Sequence, residues 1–132
     1  MQRKVLFIVI IVALSNLNMF AQEVNDTLSV KEFYNQFIAN DPSTVILDVR
    51  TPAEYEQSHL KGCILIDWKS PDFNVKIQQL NKNKKYLIYC KRGGRSSKAL
   101  SIMNQSGFKS VKHMRGGIDA WIEAGYPVVT GK

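Results

Sequence analysis

Cysteine, histidine and proline are scarce in this chain. Its 132 residues include two cysteines, two histidines and four prolines. No C-x-x-C pair is present, which excludes a thioredoxin-type dithiol exchange. His59, Cys63, Cys90 and His113 lack the close paired spacing of a zinc site, so no metal is expected. Internal repeats and low-complexity tracts are absent. The net charge is +7, yet no aromatic interleaving or nucleic-acid motif accompanies the bases, and nucleic acid is not an expected partner. Apart from the Lys82-Asn83-Lys84-Lys85 turn and a stretch beside Cys90, the basic residues are scattered.

Long apolar runs are also few. The one from Val5 to Leu14 follows Met1-Gln2-Arg3-Lys4 and precedes Met19-Phe20-Ala21-Gln22. It falls short of the ~20 apolar residues that span a bilayer. A basic start, a short apolar core and a small residue before a polar stretch describe a signal peptide cut after Ala21. Met19 stands where a small residue is usual, which leaves an uncleaved N-terminal anchor as the alternative. No cysteine follows the segment, against a lipoprotein. The expected organisation is a signal peptide over residues 1–21 and one domain over residues 22–132, exported to the periplasm or secreted. No stable membrane association is expected after cleavage.

The domain reads as alternating strands and helices. Ser29, with Glu32 three residues on, caps a helix to about Ala39 whose apolar face is Val30, Phe33, Tyr34, Phe37 and Ile38. Val45–Val49 is a strand. Thr51-Pro52-Ala53-Glu54 starts a helix with a cap, a proline at the first helical position and a reciprocal glutamate. Cys63–Asp67 reads as a strand, Phe73–Leu80 as a helix and Ser110–Met114 as the last strand. A closing helix contains Ile118, Trp121 and Ile122, with Trp121 as a core anchor. Glu23–Thr27 is an irregular or short-strand lead-in. The pattern predicts an α/β fold, an open and mainly parallel sheet of about five short strands with helices on both faces.

Chemistry concentrates in Tyr86-Leu87-Ile88-Tyr89-Cys90-Lys91-Arg92-Gly93-Gly94-Arg95-Ser96-Ser97. A buried strand ends at Cys90, and a helix runs from Ser96 to a stop at Gly107. The sulfur thus sits where strand gives way to helix, with N–H groups converging and Lys91, Arg92 and Arg95 nearby. Such surroundings favour the thiolate, the nucleophilic form. Gly93 and Gly94 let loop N–H groups approach a bound anion. The bland alternative is an inert cysteine beside solvated charges. A Cys63–Cys90 disulfide would need both residues at one end of the sheet. On parallel strands they fall three or four residues apart at ~3.3 Å each, beyond the ~7 Å Cα limit. Cys63 then reads as a small buried hydrophobe. Asp48, Arg50, Glu54 and His59 are polar groups near the strand ends that could be mistaken for catalytic acids and bases.

Cys90 to Ser96 resembles the C-x-x-G-x-R-S loop of single-domain rhodaneses. Leu47-Asp48-Val49-Arg50-Thr51-Pro52-Ala53-Glu54-Tyr55, His59-Leu60-Lys61-Gly62, Gly116-Gly117, Trp121 and Gly125-Tyr126-Pro127-Val128 resemble further segments of that family in its order. The loop is one residue shorter than the C-x5-R cradle of tyrosine phosphatases, against phosphoryl chemistry. The resemblance implies a sulfurtransferase, and it implies that Asp48, Arg50, Glu54 and His59 mainly hold the fold, with an Arg50–Glu54 pair bracing the turn. Cys90 takes sulfur from an anionic donor such as thiosulfate and carries it as a persulfide. It then passes the sulfur to cyanide, a thiol or a protein acceptor. Lys91, Arg92, Gly93, Gly94, Arg95 and Ser96 bind the donor, and no cofactor is implied. A persulfide relay and a non-catalytic binding module are the alternatives.

Overall fold

A computed structural model describes residues 26–132. The expected signal peptide and most of the Glu23–Thr27 lead-in lie outside the described residues. No described helix is long and apolar enough to cross a membrane.

Five strands form one sheet. They are β1 (Thr27–Leu28), β2 (Thr44–Asp48), β3 (Ile64–Leu65), β4 (Lys85–Tyr89) and β5 (Ser110–Met114). Their order is β1-β5-β4-β2-β3, and every neighbouring pair is parallel. Side chains alternate across the sheet as the two-residue strand period requires. Leu47, Val49, Tyr86, Ile88 and Val111 enter one core together with Phe73 and Ile77 of α3 (Phe73–Gln78) and Ala99 and Met103 of α4 (Gly94–Gln105). Leu28, Leu87, Tyr89 and Met114 enter the other with Phe33 of α1 (Val30–Ala39) and Trp121 of α5 (Gly117–Glu123). Helices therefore cover both faces, as the alternation of elements predicts. Trp121 is fully buried as the expected anchor, edge-on to Phe33 and Phe37.

Local signals set most boundaries. Ser29 accepts from the Glu32 amide at 3.1 Å. The α2 helix (Pro52–Gln57) opens on a complete capping box between Thr51 and Glu54, with Pro52 in its first turn. Two expectations shift. The strand expected over Cys63–Asp67 shrinks to Ile64–Leu65, because β3 is a sheet edge whose only partner among the described residues is β2. The helix expected from Ser96 begins at Gly94 instead, since Gly93, at φ +110°, makes the turn just ahead of it. Cys63 stays a free thiol three strand positions below Cys90. It is half-buried rather than fully buried, beside the Tyr89 hydroxyl at 3.5 Å.

Candidate active site

The central strand β4 delivers Cys90 to the carboxyl end of the sheet, where open α/β sheets hold their ligands. The thiol is 1% exposed. Its sulfur accepts from the Gly93 amide at 3.0 Å and lies 3.5 Å from the Ser96 hydroxyl. Burial opposes ionisation, but the Ser96 hydroxyl and the amides of Ser96, Gly93 and Arg92 outweigh it, and the thiol is held below its ordinary range. A sulfur so placed carries negative charge readily and can attack an electrophile. The thiolate preference expected beside the basic loop thus rests on directed N–H and O–H groups.

The three loop cations are engaged elsewhere. Lys91 Nζ lies 3.0 Å from both carboxylate oxygens of Asp119, and Arg92 Nε donates to the same carboxylate at 3.3 Å. Arg95 forms two parallel bonds to Glu54, at 2.7 and 3.0 Å. Of the three, Arg95 couples to Cys90: after the Glu54 bonds, which oppose its burial, the cysteine's charge also stabilises the guanidinium. The expected Arg50–Glu54 side-chain pair is replaced. Arg50 binds Asp48 instead, with Nη2 2.7 Å from Oδ2, and reaches Glu54 only through its backbone carbonyl, at 3.4 Å. Burial explains the choice: Asp48 is fully enclosed and takes the enclosed cation. Glu54, freed from that role, reaches the reactive loop. Its carboxyl is lowered to about 2, mainly by the Arg95 bond.

Asp48, Arg50 and His59 are all buried and held by neighbouring groups. Tyr89 donates to Asp48 at 2.7 Å. His59 Nδ1 lies 2.8 Å from the Tyr55 carbonyl oxygen, and its ring stacks on Tyr55. Burial pushes the Cys63 thiol up to about 11.

Sequence reasoning missed what α5 contributes. Its early amides, from Ile118 and Asp119, donate to the carbonyls of Cys90 and Lys91 at 2.9 and 3.1 Å. The helix thereby satisfies its own orphan donors and fixes the back of the loop. Gly117 permits this approach, for a Cβ there would fall 2.3 Å from the Lys91 oxygen. Also missed was His113, which meets Ser96 at 3.0 Å. Its signal was available: on β5 it shares the face of Val111, and a polar residue on a buried face needs a partner.

Residues 29–124 match the model of the rhodanese-like domain. A sulfurtransferase of Allochromatium vinosum is 31% identical over 98 residues, covering 74% of this chain and 90% of that protein. A chloroplastic thiosulfate sulfurtransferase of Arabidopsis thaliana is 35% identical over 91 residues, 61% of this chain and 76% of the relative. Longer proteins match as well, among them a tRNA uridine(34) hydroxylase of Acinetobacter baumannii, of which the chain spans 32%. A crystal structure of a rhodanese-related protein from Thermoplasma volcanium superposes with a TM-score of 0.69 at 31% identity, covering 78% of this chain and 96% of that one. Sheet order, loop and relatives agree, and the chain belongs to the rhodanese-like family.

Proposed function

We propose that this protein is a sulfurtransferase working by double displacement at Cys90. The observation that carries the reading is the thiol itself, held toward its anion by the Ser96 hydroxyl and by the amides of Ser96, Gly93 and Arg92. The Cys90 thiolate attacks the outer sulfur of thiosulfate. A Cys90 S–S bond forms, the donor S–S bond breaks, and sulfite leaves with the electron pair. The persulfide anion then gives its outer sulfur to cyanide as thiocyanate, or to a thiolate as a new persulfide, and the Cys90 thiolate returns. Loop amides stabilise charge on sulfur throughout. Gly93 and Gly94 shape the cradle, Lys91 and Arg92 draw the anionic donor to its rim, and Arg95 stands closer to the sulfur's charge.

The test is to follow thiocyanate from thiosulfate and cyanide with the purified chain and with Cys90→Ala. Formation by the parent alone supports the reading. Its absence in reduced, folded protein overturns the thiosulfate-to-cyanide assignment, and intact mass then decides between a relay, which gains one sulfur at Cys90, and a binding module, which gains none. Export to the periplasm belongs to the same proposal, on the sequence of residues 1–21. An N-terminus at Gln22 in protein recovered from the periplasmic fraction supports it, absence from that fraction overturns it, and a retained Met1 there points to the uncleaved anchor instead.

A further inference from the structure

Behind the Cys90 cradle a file of polar groups runs on from the Ser96 hydroxyl to side chains that the sulfur-transfer steps do not use. The Ser96 hydroxyl is 3.5 Å from the Cys90 sulfur, 3.0 Å from His113 Nδ1 and 3.2 Å from the Gly93 carbonyl oxygen. His113 Nε2 in turn lies 3.1 Å from the Thr27 hydroxyl on β1. Ser96 is fully buried and His113 is 7% exposed. Both imidazole nitrogens are therefore engaged inside the protein, one of them one hydroxyl away from the reactive sulfur. A hydroxyl has a single proton, which Ser96 gives to sulfur, to Nδ1 or to the Gly93 carbonyl, and a neutral imidazole has one donor and one acceptor, so the file has a direction whenever that proton lies along it.

We propose that His113 is a positioning residue for the Cys90 sulfur, acting through Ser96, and that the direction of this hydrogen-bond file reverses when the thiol ionises. With a thiol, Cys90 S–H donates to Ser96, Ser96 O–H donates to His113 Nδ1, and Nε2–H donates to Thr27. With a thiolate, Thr27 O–H donates to Nε2, Nδ1–H donates to Ser96, and Ser96 O–H donates to sulfur. One proton leaves to solvent between the two states, and no heavy-atom bond changes. A hydroxyl that accepts from Nδ1–H is a stronger donor to the anion. The ring thus makes Ser96 a better partner for the charged sulfur.

The electrostatics around the ring suit exchange between neutral tautomers. Burial and Arg115 lower the pKa of His113, with Asp26 opposing them. Arg115 follows the ring on its own chain, Asp26 precedes β1, Cys90 follows β4, and Ser96 comes from α4. Near neutrality the imidazolium is disfavoured, and the neutral ring acts by choosing which nitrogen holds its proton.

The inference deepens the sulfurtransferase reading but is tested without a sulfur donor, so each can fail alone. The rate of Cys90 alkylation by iodoacetamide against pH is compared in the full chain and in its His113→Leu, His113→Asn and Ser96→Ala variants. We expect His113→Leu to slow alkylation at pH 7 by about three- to tenfold through loss of thiolate. His113→Asn, whose amide can donate to Ser96, restores most of the rate. On a Ser96→Ala background His113→Leu changes nothing further. An unshifted profile in folded His113→Leu, or the same slowing without Ser96, overturns the proposal. The unmutated protein gives a second reading. Ring nitrogen resonances of His113 should move Nδ1 from acceptor to N–H character over the pH interval in which Cys90 ionises. A ring that keeps one tautomer across that interval also overturns it.

Discussion

Gly117 lies against the peptide of Lys91, at φ +61°, so close that an added Cβ would stand 2.3 Å from the Lys91 carbonyl oxygen and 2.5 Å from that of Cys90. The obstacles are backbone atoms, which cannot swing aside as a side chain would. Gly117→Ala must push α5 away from the loop or move the loop, and it also strains the left-handed backbone. We expect the variant to fold with an unfolding free energy lower by about 1–3 kcal/mol. Sulfur transfer should fall by at least about tenfold, since cradle amides displaced by a fraction of an ångström lose their aim. Circular dichroism and thiocyanate formation, measured together, check this.

Asp119 occupies two cations that an anionic donor would otherwise meet. Asp119→Asn should lower the KM for thiosulfate by about two- to fivefold and steepen its dependence on salt, because Lys91 and Arg92 then act at full strength. Both pairs are half open to water, so thermal stability should hardly change. Initial rates at low and high ionic strength make the comparison. A KM that rises would show that Asp119 orders the cations rather than masking them.

Glu54 sets a pH dependence with a definite sign. Its carboxyl titrates near 4.5 when unperturbed and near 2 in the folded chain, where Arg95 holds it as the anion. The unfolded chain takes up this proton first as pH falls. The Arg95 bond therefore contributes fully above about pH 4.5, and its contribution declines as pH drops through the folded value near 2. Glu54→Gln should lose stability at pH 7 and show a shallower loss between pH 4.5 and 2. Thermal melts across that range give the two slopes.

The two thiols should behave as different reagents. Burial holds Cys63 as a thiol, pushed up to about 11, whereas Cys90 is biased toward its anion. At pH 7 a small alkylating agent should label Cys90 first and leave Cys63 behind by about tenfold or more. Peptide mapping after partial reaction reads the ratio, and Cys63→Ser should leave the Cys90 rate unchanged.

Much of this architecture is legible in the sequence because it is local. The cap at Ser29, the box at Thr51 and Glu54, and the strand over Ser110–Met114 each follow from residues within a few positions of one another. The same holds for Cys90, since strand end, glycines and helix start are contiguous. What escaped depends on distant encounters. Glu54 meets Arg95 across 41 positions, and Lys91 meets Asp119 across 28. The sequence shows abundant charge but not which cation meets which carboxylate. The family resemblance pairs Arg50 with Glu54, whereas in the structure burial pairs it with Asp48. His113 stood on a readable face of β5, yet its partner Ser96 comes from a helix whose rotation is set only when the sheet is complete.

The amides of Ile118 and Asp119 that hold the Cys90 and Lys91 carbonyls come from the last helix of the chain. Synthesis runs from the other end. A nascent chain that has reached Ser96 already contains the cysteine, its glycines and its arginine, but not the segment that fixes their backbone. The backbone around the sulfur is accordingly fixed late, once the residues through Glu123 have emerged and α5 has docked. Until then the back of the loop is unfixed, and the aim of its amides at the sulfur depends on a segment made after them.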